Sequence, residues 1–264
     1  MESIISRIQD HLKAHGYTGY PDIYEWDGDN EIVICISWGD WKHDHLYVEY
    51  LMGLMGYYKD GQETVTESNG SDCYSAEYLF RKRTKYRALS AGEYSGDLRL
   101  LARALKENDR ESVNEAAALL QPLLPEDAVL IPMPSHDGGE NFSTALCNAL
   151  SRLSGRPVKK ILKCRPHESM CNAKKSANIN GTRLPHPETF MMERTEHEPI
   201  GGTPVVIDNV IASGTTAVAA LDAVRNDDAM VLTLADDVSC PKIAEFTNTS
   251  IKEILSKKKH LIDQ

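Results

Sequence analysis

The 264-residue chain has no apolar stretch near the roughly 18 residues that a membrane-spanning helix needs. Its first residues, MESIISRIQDHLKAHG, lack a basic head followed by an apolar core, so they do not read as a signal peptide. A cytoplasmic protein without a membrane partner is the expectation. The six cysteines, at 35, 73, 147, 164, 171 and 240, include no CxxC pair. That excludes the common zinc and thiol-redox motifs and predicts reduced, structural thiols. Positive charge is also short: 29 Lys and Arg stand against 39 Asp and Glu, a formal net charge of −10. Broad nucleic-acid binding runs on surplus Lys and Arg, so nucleic acid is not an expected partner. Two local clusters, Arg81–Arg87 and Lys257–Lys259, are the only basis for it. There is no internal repeat and no low-complexity tract.

What remains is ordinary for a globular protein, 41% hydrophobic and 26% charged. A break falls near residues 81–97, where a basic run is followed by Ser90-Ala91-Gly92 and reads as a solvated helix end or linker. Residues 1–85 form a small α/β unit. Ile4, Ile5, Ile8 and Leu12 share a helix face that Gly16 ends. Asp27–Asn30 is a hairpin turn between strands Ile23–Trp26 and Ile32–Trp38. A helix is predicted over Lys42–Met55, a strand over Glu63–Glu67 and a further helix over Tyr74–Arg81. In GDWKHDH (Gly39–His45), His43 and His45 converge on a metal only from a strand or loop, because i,i+2 side chains diverge on a helix. The segment therefore reads as a polar helix start with a packed Trp41.

Residues 90–264 alternate strands and helices. Leu98, Leu101, Ala102 and Leu105 mark a helix, and a second ends near Leu120. Val129–Ile131 is a buried strand stopped by Pro132-Met133-Pro134. Phe142, Ala145, Leu146, Ala149, Leu150 and Leu153 form a helical stripe closed by Gly155. Strand Val158–Leu162 precedes a long polar segment, 164–187, of the kind that is usually functional. Strand Val205–Ile207, helix Thr216–Val224, strand Met230–Ala235 and helix Ile251–Leu261 complete the order. The fold class is α/β: a mostly parallel sheet flanked by helices, with its ligand site at the carboxyl ends of the strands.

The most informative stretch is Val205–Val224, VVIDNVIASGTTAVAALDAV. An apolar strand leads to Asp208 and Asn209, then to the loop Ala212-Ser213-Gly214-Thr215-Thr216, then to a helix. Loop N–H groups and a helix N-terminus together favour an anion. Asp208 and Asn209 suit vicinal ribose hydroxyls, Ser213 and Thr216 offer hydroxyl donors, and Gly214 lets a phosphate approach the backbone. Neither GxxxxGK[ST] nor GxGxxG is present, which disfavours a triphosphatase loop and a dinucleotide fold. An ordinary strand–loop–helix turn built for packing is the plain alternative. Loops 132–139 and 164–187 should meet this one at the same sheet edge.

Val205–Val224 resembles the phosphoribosyl-pyrophosphate (PRPP) signature of the type I phosphoribosyltransferases. The order IPMPSH, long polar loop and signature is similar to the ComF (competence protein) branch, over roughly residues 98–240. The resemblance implies that Asp208 and Asn209 hold the ribose and that Ala212, Ser213, Gly214, Thr215 and Thr216 bind the 5′-phosphate. It places Ser135 and His136 at a pyrophosphate loop, with Mg²⁺ arriving mainly through the ligand and no metal held by the protein alone. Segment 164–187 becomes a lid whose cations, Lys174, Lys175 and Arg183 with Arg165 behind them, face the pyrophosphate. The plain alternative for each is a solvated loop charge, and for His136 a hydrogen-bonded structural residue. Cys164 and Cys171 read as structural, since no His/Asp arrangement activates either.

The implied ligand is PRPP or a nucleoside monophosphate, and the implied reaction is phosphoribosyl transfer to a nitrogen acceptor. Two features depart from the signature. Asn209 stands where a second acid is usual, and Ser135–Asn141 contains no Arg or Lys. They keep open a sensor or partner-binding module on the same fold. The acceptor is not legible in the sequence, and a homo-oligomer is compatible with it.

Overall fold

The computed structural model describes the chain except residues 1–2, 17–21, 28–29, 38–44, 69–71, 138, 140, 171, 174, 176–185, 197 and 249–264. It divides into two compact units, Met1–Thr84 and Lys85–Gln264.

In the first unit, α1 (Ile4–Ala14) begins where Ser3 accepts a hydrogen bond from the Ser6 N–H at 3.1 Å, and it buries Ile4, Ile8 and Leu12. Gly16, at φ 83°, follows its end. Strands β1 (Asp22–Asp27) and β2 (Glu31–Ser37) pair antiparallel, with Asp27 opposite Glu31, as the hairpin reading requires. Helix α2 (His45–Leu54) buries Val48, Leu51 and Met52. It is tied to α1 through the His11 ring nitrogen Nε2 and the Leu51 carbonyl, 3.0 Å apart. His43 and Trp41 lie outside the described residues. Strand β3 (Tyr57–Ser68) is longer than expected.

The helix predicted over Tyr74–Arg81 is instead a strand, β4 (Asp72–Lys82), and the sheet order is β1-β2-β4-β3. Tyr78 and Phe80 are buried while Leu79 and Arg81 are not, which is a period of two. They lie opposite Ile34 and Ile32. Aromatic residues suit such a half-buried pleated surface, and that preference decides the segment.

The basic run is neither linker nor helix end. Arg81 and Lys82 finish β4, where Arg81 Nε pairs with Glu31 at 2.9 Å and Asp60 at 3.0 Å. Lys85 and Arg87 open β5 (Lys85–Glu93), which includes the supposed linker residues Ser90, Ala91 and Gly92.

The second unit continues with α3 (Gly96–Lys106), α4 (Arg110–Leu120), β6 (Ala128–Pro132) and α5 (Phe142–Ser154). Next come the short β7 (Leu162–Lys163) and β8 (Glu193–Arg194), then β9 (Thr203–Ile211), α6 (Thr215–Val224), β10 (Met230–Asp236) and β11 (Glu245–Asn248). Five strands in the order β11-β5-β10-β9-β6 form a sheet, and every pair in it is parallel. Their near-continuous apolar runs suit strands covered on both faces.

On one face, Leu101, Leu105, Val113, Leu120, Leu146 and Leu150 from α3, α4 and α5 pack against Leu130, Val205, Ile207, Leu232 and Leu234. Tyr86, three residues before the core residue Leu89 on β5, points to the opposite face. There its hydroxyl meets the buried Asp222 of α6 at 3.1 Å. Helix α6 therefore covers that second face. The expected strand Val158–Leu162 is reduced to one bridge, Val158 to Leu130, and β7 pairs instead with β8 in a separate antiparallel ribbon. Strand β11 was not foreseen, and the expected helix Ile251–Leu261 lies outside the described residues.

Candidate functional site

Strand β9 is longer than the sequence pattern suggests. It runs through Asp208 and Asn209 to Ile211, so the two polar residues sit within the strand, not beyond its end. Alternation sends them to opposite faces. Asn209 continues the side of Val205 and Ile207, is 7% exposed, and donates its side-chain amide to the Ala102 carbonyl of α3 at 3.2 Å. Its amide nitrogen is thus committed to holding α3 against β9. Asp208 is half-buried and accepts a hydrogen bond from the Asn209 backbone N–H at 2.8 Å. Burial pushes its carboxyl up to about 6, while that N–H and the charge of Lys106 act in the opposite direction.

The loop after β9 makes the expected turn. Gly214 is the N-cap of α6, at φ 82° in the left-handed region that only glycine enters at little cost. The hydroxyls of Ser213 and Thr215 bond each other at 2.8 Å, and both residues are buried. Thr216 is half-buried, and among the described residues its hydroxyl has no such pairing. The first-turn N–H groups of α6 have no carbonyl of their own helix to bond, and the helix dipole leaves this end partly positive.

The loop is braced from behind. The Ile243 N–H donates to the Ser213 carbonyl at 2.9 Å. Lys242 Nζ donates to Asp236 at 2.6 Å, to the Asp237 carbonyl at 2.9 Å and to the Ile211 carbonyl at 3.5 Å.

Two cavities share a wall here. The smaller, about 80 Å³, is bounded by Asp208 and all five loop residues from Ala212 to Thr216. The larger, about 290 Å³, is bounded by Asp208, Asn209, Ala212, Ser213 and Thr216, and also by Tyr94, Lys106, Asp237 and Cys240. Met170, from the predicted lid segment, lines both.

Among its described residues, loop 132–139 lines neither cavity. The Ser135 carbonyl accepts from the Cys164 thiol at 3.1 Å, and burial pushes that thiol up. Asp137 is held below the usual carboxylate range by the Gly139 N–H and then by the Ser135 hydroxyl. The exposed His136 gives its carbonyl to the His167 N–H at 2.9 Å, and the His167 ring stacks on Phe190 at 4.4 Å. Ser135 and His136 thus join the loop to the start of segment 164–187.

In that segment Met170, Asn172, Ala173 and Lys175 are helical, and Lys175 is exposed. Arg165 reaches the Met191 sulfur at 3.3 Å, and Lys174 and Arg183 lie outside the described residues.

Sequence reasoning missed Tyr94, Lys106, Asp237 and Cys240. Tyr94 follows β5 and Asp237 follows β10, so the strand-end rule finds both once the strands are correct. Reading β5 as a linker hid the first. Lys106 had no signal beyond its place in the last turn of α3. The chain matches no protein-family model, and comparison with curated protein sequences gives no match either.

Proposed function

We propose that the second unit binds PRPP or a nucleoside monophosphate and transfers a phosphoribosyl group to a nitrogen acceptor. The observation that carries this reading is the shared wall of the two cavities: one carboxylate, Asp208, beside the N-terminus of α6 and its hydroxyl-bearing loop, with Met170 alongside. The all-parallel sheet is compatible with a type I phosphoribosyltransferase fold.

In this reading the backbone N–H groups from Ala212 to Thr216 and the Thr216 hydroxyl surround the 5′-phosphate. Asp208 accepts hydrogen bonds from the ribose hydroxyls. The acceptor nitrogen donates its lone pair to C1′, the bond from C1′ to the pyrophosphate oxygen breaks, and its electrons leave on pyrophosphate. The acceptor proton passes to water. Catalysis then rests on positioning and electrostatics, without a protein nucleophile.

Among the described residues no three His, Cys, Asp or Glu side chains converge on one point. In this scheme Mg²⁺ is the counter-ion that arrives with pyrophosphate. Segment 164–187 serves as the lid that excludes water, with Lys174, Lys175, Arg183 and Arg165 as its cations.

Calorimetry tests the binding step. PRPP with Mg²⁺ and AMP should both bind, and adenosine, which lacks the phosphate, should bind at least about tenfold more weakly. Equal affinity for AMP and adenosine would contradict a phosphate-binding loop.

A second reading, binding without transfer, is favoured by Asn209, which brings no second carboxylate to the strand and whose amide nitrogen is held by the Ala102 carbonyl. Pyrophosphate release on mixing PRPP with nucleobases separates the two: release supports transfer, and tight binding without release supports a sensor.

A further inference from the structure

The part of the larger cavity lined by Tyr94, Lys106 and Asp237 has a composition that the phosphate loop does not explain. We infer that it is the acceptor subsite, and that it takes an uncharged heterocycle bearing N–H groups and rejects carboxylated acceptors. The inference rests on the PRPP reading above and specifies its second substrate by chemical class.

Size limits the occupant first. A cavity of about 290 Å³ is just below the ~300–1,000 Å³ range of small-molecule sites. Its lining includes Asp208, Ser213 and Thr216 of the ribose-phosphate end, so the space left for an acceptor suits one small ring.

Position comes next. Tyr94 and Asp237 follow adjacent parallel strands, β5 and β10, at one sheet edge, and Asp208 lies opposite Thr233, three residues before the end of β10. The Tyr94 N–H donates to the Asp236 carbonyl at 2.8 Å, which fixes the residue at the strand end, and the Arg99 guanidinium lies 5.8 Å from its ring centroid. A half-buried tyrosine held in this way offers a flat wall for a ring.

Polarity decides the class. Asp237 Oδ1 accepts from the Ser239 hydroxyl at 2.6 Å and from the Ser239 N–H at 3.3 Å. These bonds hold the carboxylate in place, and no described residue bonds its other oxygen. An ionised carboxylate only accepts, so the matching ligand group is an N–H donor. Among the described lining residues two carboxylates, Asp208 and Asp237, stand against one ammonium, Lys106. A carboxylated ring would bring a third negative charge into a partly desolvated space, where like charges repel strongly. With Asp208 engaged on ribose, Asp237 is the acceptor left to read the incoming ring.

The test uses the full chain saturated with PRPP and Mg²⁺ and titrated with adenine and with orotate. Adenine should bind about ten- to a hundredfold tighter than orotate, the value of a hydrogen bond to a charged group. Asp237→Asn, which keeps the shape and removes the charge, should bring the two affinities together. Orotate binding as well as adenine, or discrimination unchanged in Asp237→Asn, overturns the inference. The wild-type comparison stands by itself if the variant fails to fold. Failure of PRPP itself to bind is a separate result, which overturns the parent reading and this one with it.

Discussion

The ring of Phe246 on β11 occupies the space that a β-carbon on Gly214 would need. Gly214 is therefore required twice, once for its left-handed backbone and once for this contact. Phe246 in turn lies 5.8 Å, centroid to centroid, from Tyr86, whose hydroxyl bonds Asp222 of α6. A strand near the end of the described chain thus backs the loop that starts α6. Gly214→Ala should cost about 2–4 kcal/mol, combining left-handed strain with overpacking. Phe246→Ala should relieve part of that cost. A double-mutant cycle by denaturant unfolding should show a coupling of at least about 1 kcal/mol between the two changes. Strict additivity would mean that the ring does not constrain the loop.

The raised carboxyl of Asp208 makes a prediction about stability. The folded protein holds this proton up to about pH 6, whereas an unfolded aspartate loses it near pH 4. Between those values the folded state binds more protons, so this group's contribution to stability falls as pH rises through the window. Asp208→Asn should therefore raise the Tm at pH 7.5, with the gain shrinking to nothing below about pH 4. A Tm difference that is constant from pH 4 to pH 8 would show that Asp208 is not desolvated.

Tyr86→Phe removes the hydroxyl that bonds both oxygens of the buried Asp222, at 3.1 and 3.2 Å. The expected loss is about 1–3 kcal/mol of unfolding free energy, the worth of a hydrogen bond to a charged group. A change under about 0.5 kcal/mol would show that this bond does not hold α6 to the sheet.

Lys242 bridges the ends of two adjacent strands, through Ile211 of β9 and Asp236 of β10. Lys242→Met should destabilise the protein by about 1.5–3 kcal/mol, because it removes the ammonium's hydrogen bond to the 7%-exposed Asp236. Amide hydrogen exchange at Ala212–Gly214 should accelerate in the same variant. Unchanged exchange there would separate the bridge from the loop.

The legible parts of the fold were those with one strong physical signal. The stripe from Phe142 to Leu153 closed by Gly155, and the apolar run into Asp208, could each be read alone. Tyr74–Arg81 could not, because its strand character depends on Ile32 and Ile34 opposite it, far away in sequence. The run Arg81–Arg87, followed by Ser90-Ala91-Gly92, reads as a helix end or linker in part because Lys85 and Arg87 are charged. They are exposed at the start of the strand, while Tyr86 and Ala88 turn inward.

At the site, the order of strand, small-residue loop and helix was readable. The roles of individual side chains were less so. The pattern suggests Asn209 as a sugar ligand, and in the fold its amide bonds the backbone of α3. It suggests Ser135 and His136 at a ligand loop, and in the fold they tie two loops together. In each case the deciding partner, Ala102, Cys164 or His167, is a long-range contact that no local pattern encodes. Tyr94, Lys106 and Asp237 converge only because β5, α3 and β10 are neighbours in space.

The account stands most directly on Asp208 as the residue that holds the sugar of a ribose-phosphate ligand. Its decisive measurement is the calorimetric affinity for PRPP with Mg²⁺ in the wild type and in Asp208→Ala, with circular dichroism confirming that the variant is folded. The account predicts binding by the wild type and at least a tenfold loss in the variant, as expected when a hydrogen bond to a charged group is removed. Equal affinity in the two proteins, or no binding by the wild type, would contradict it.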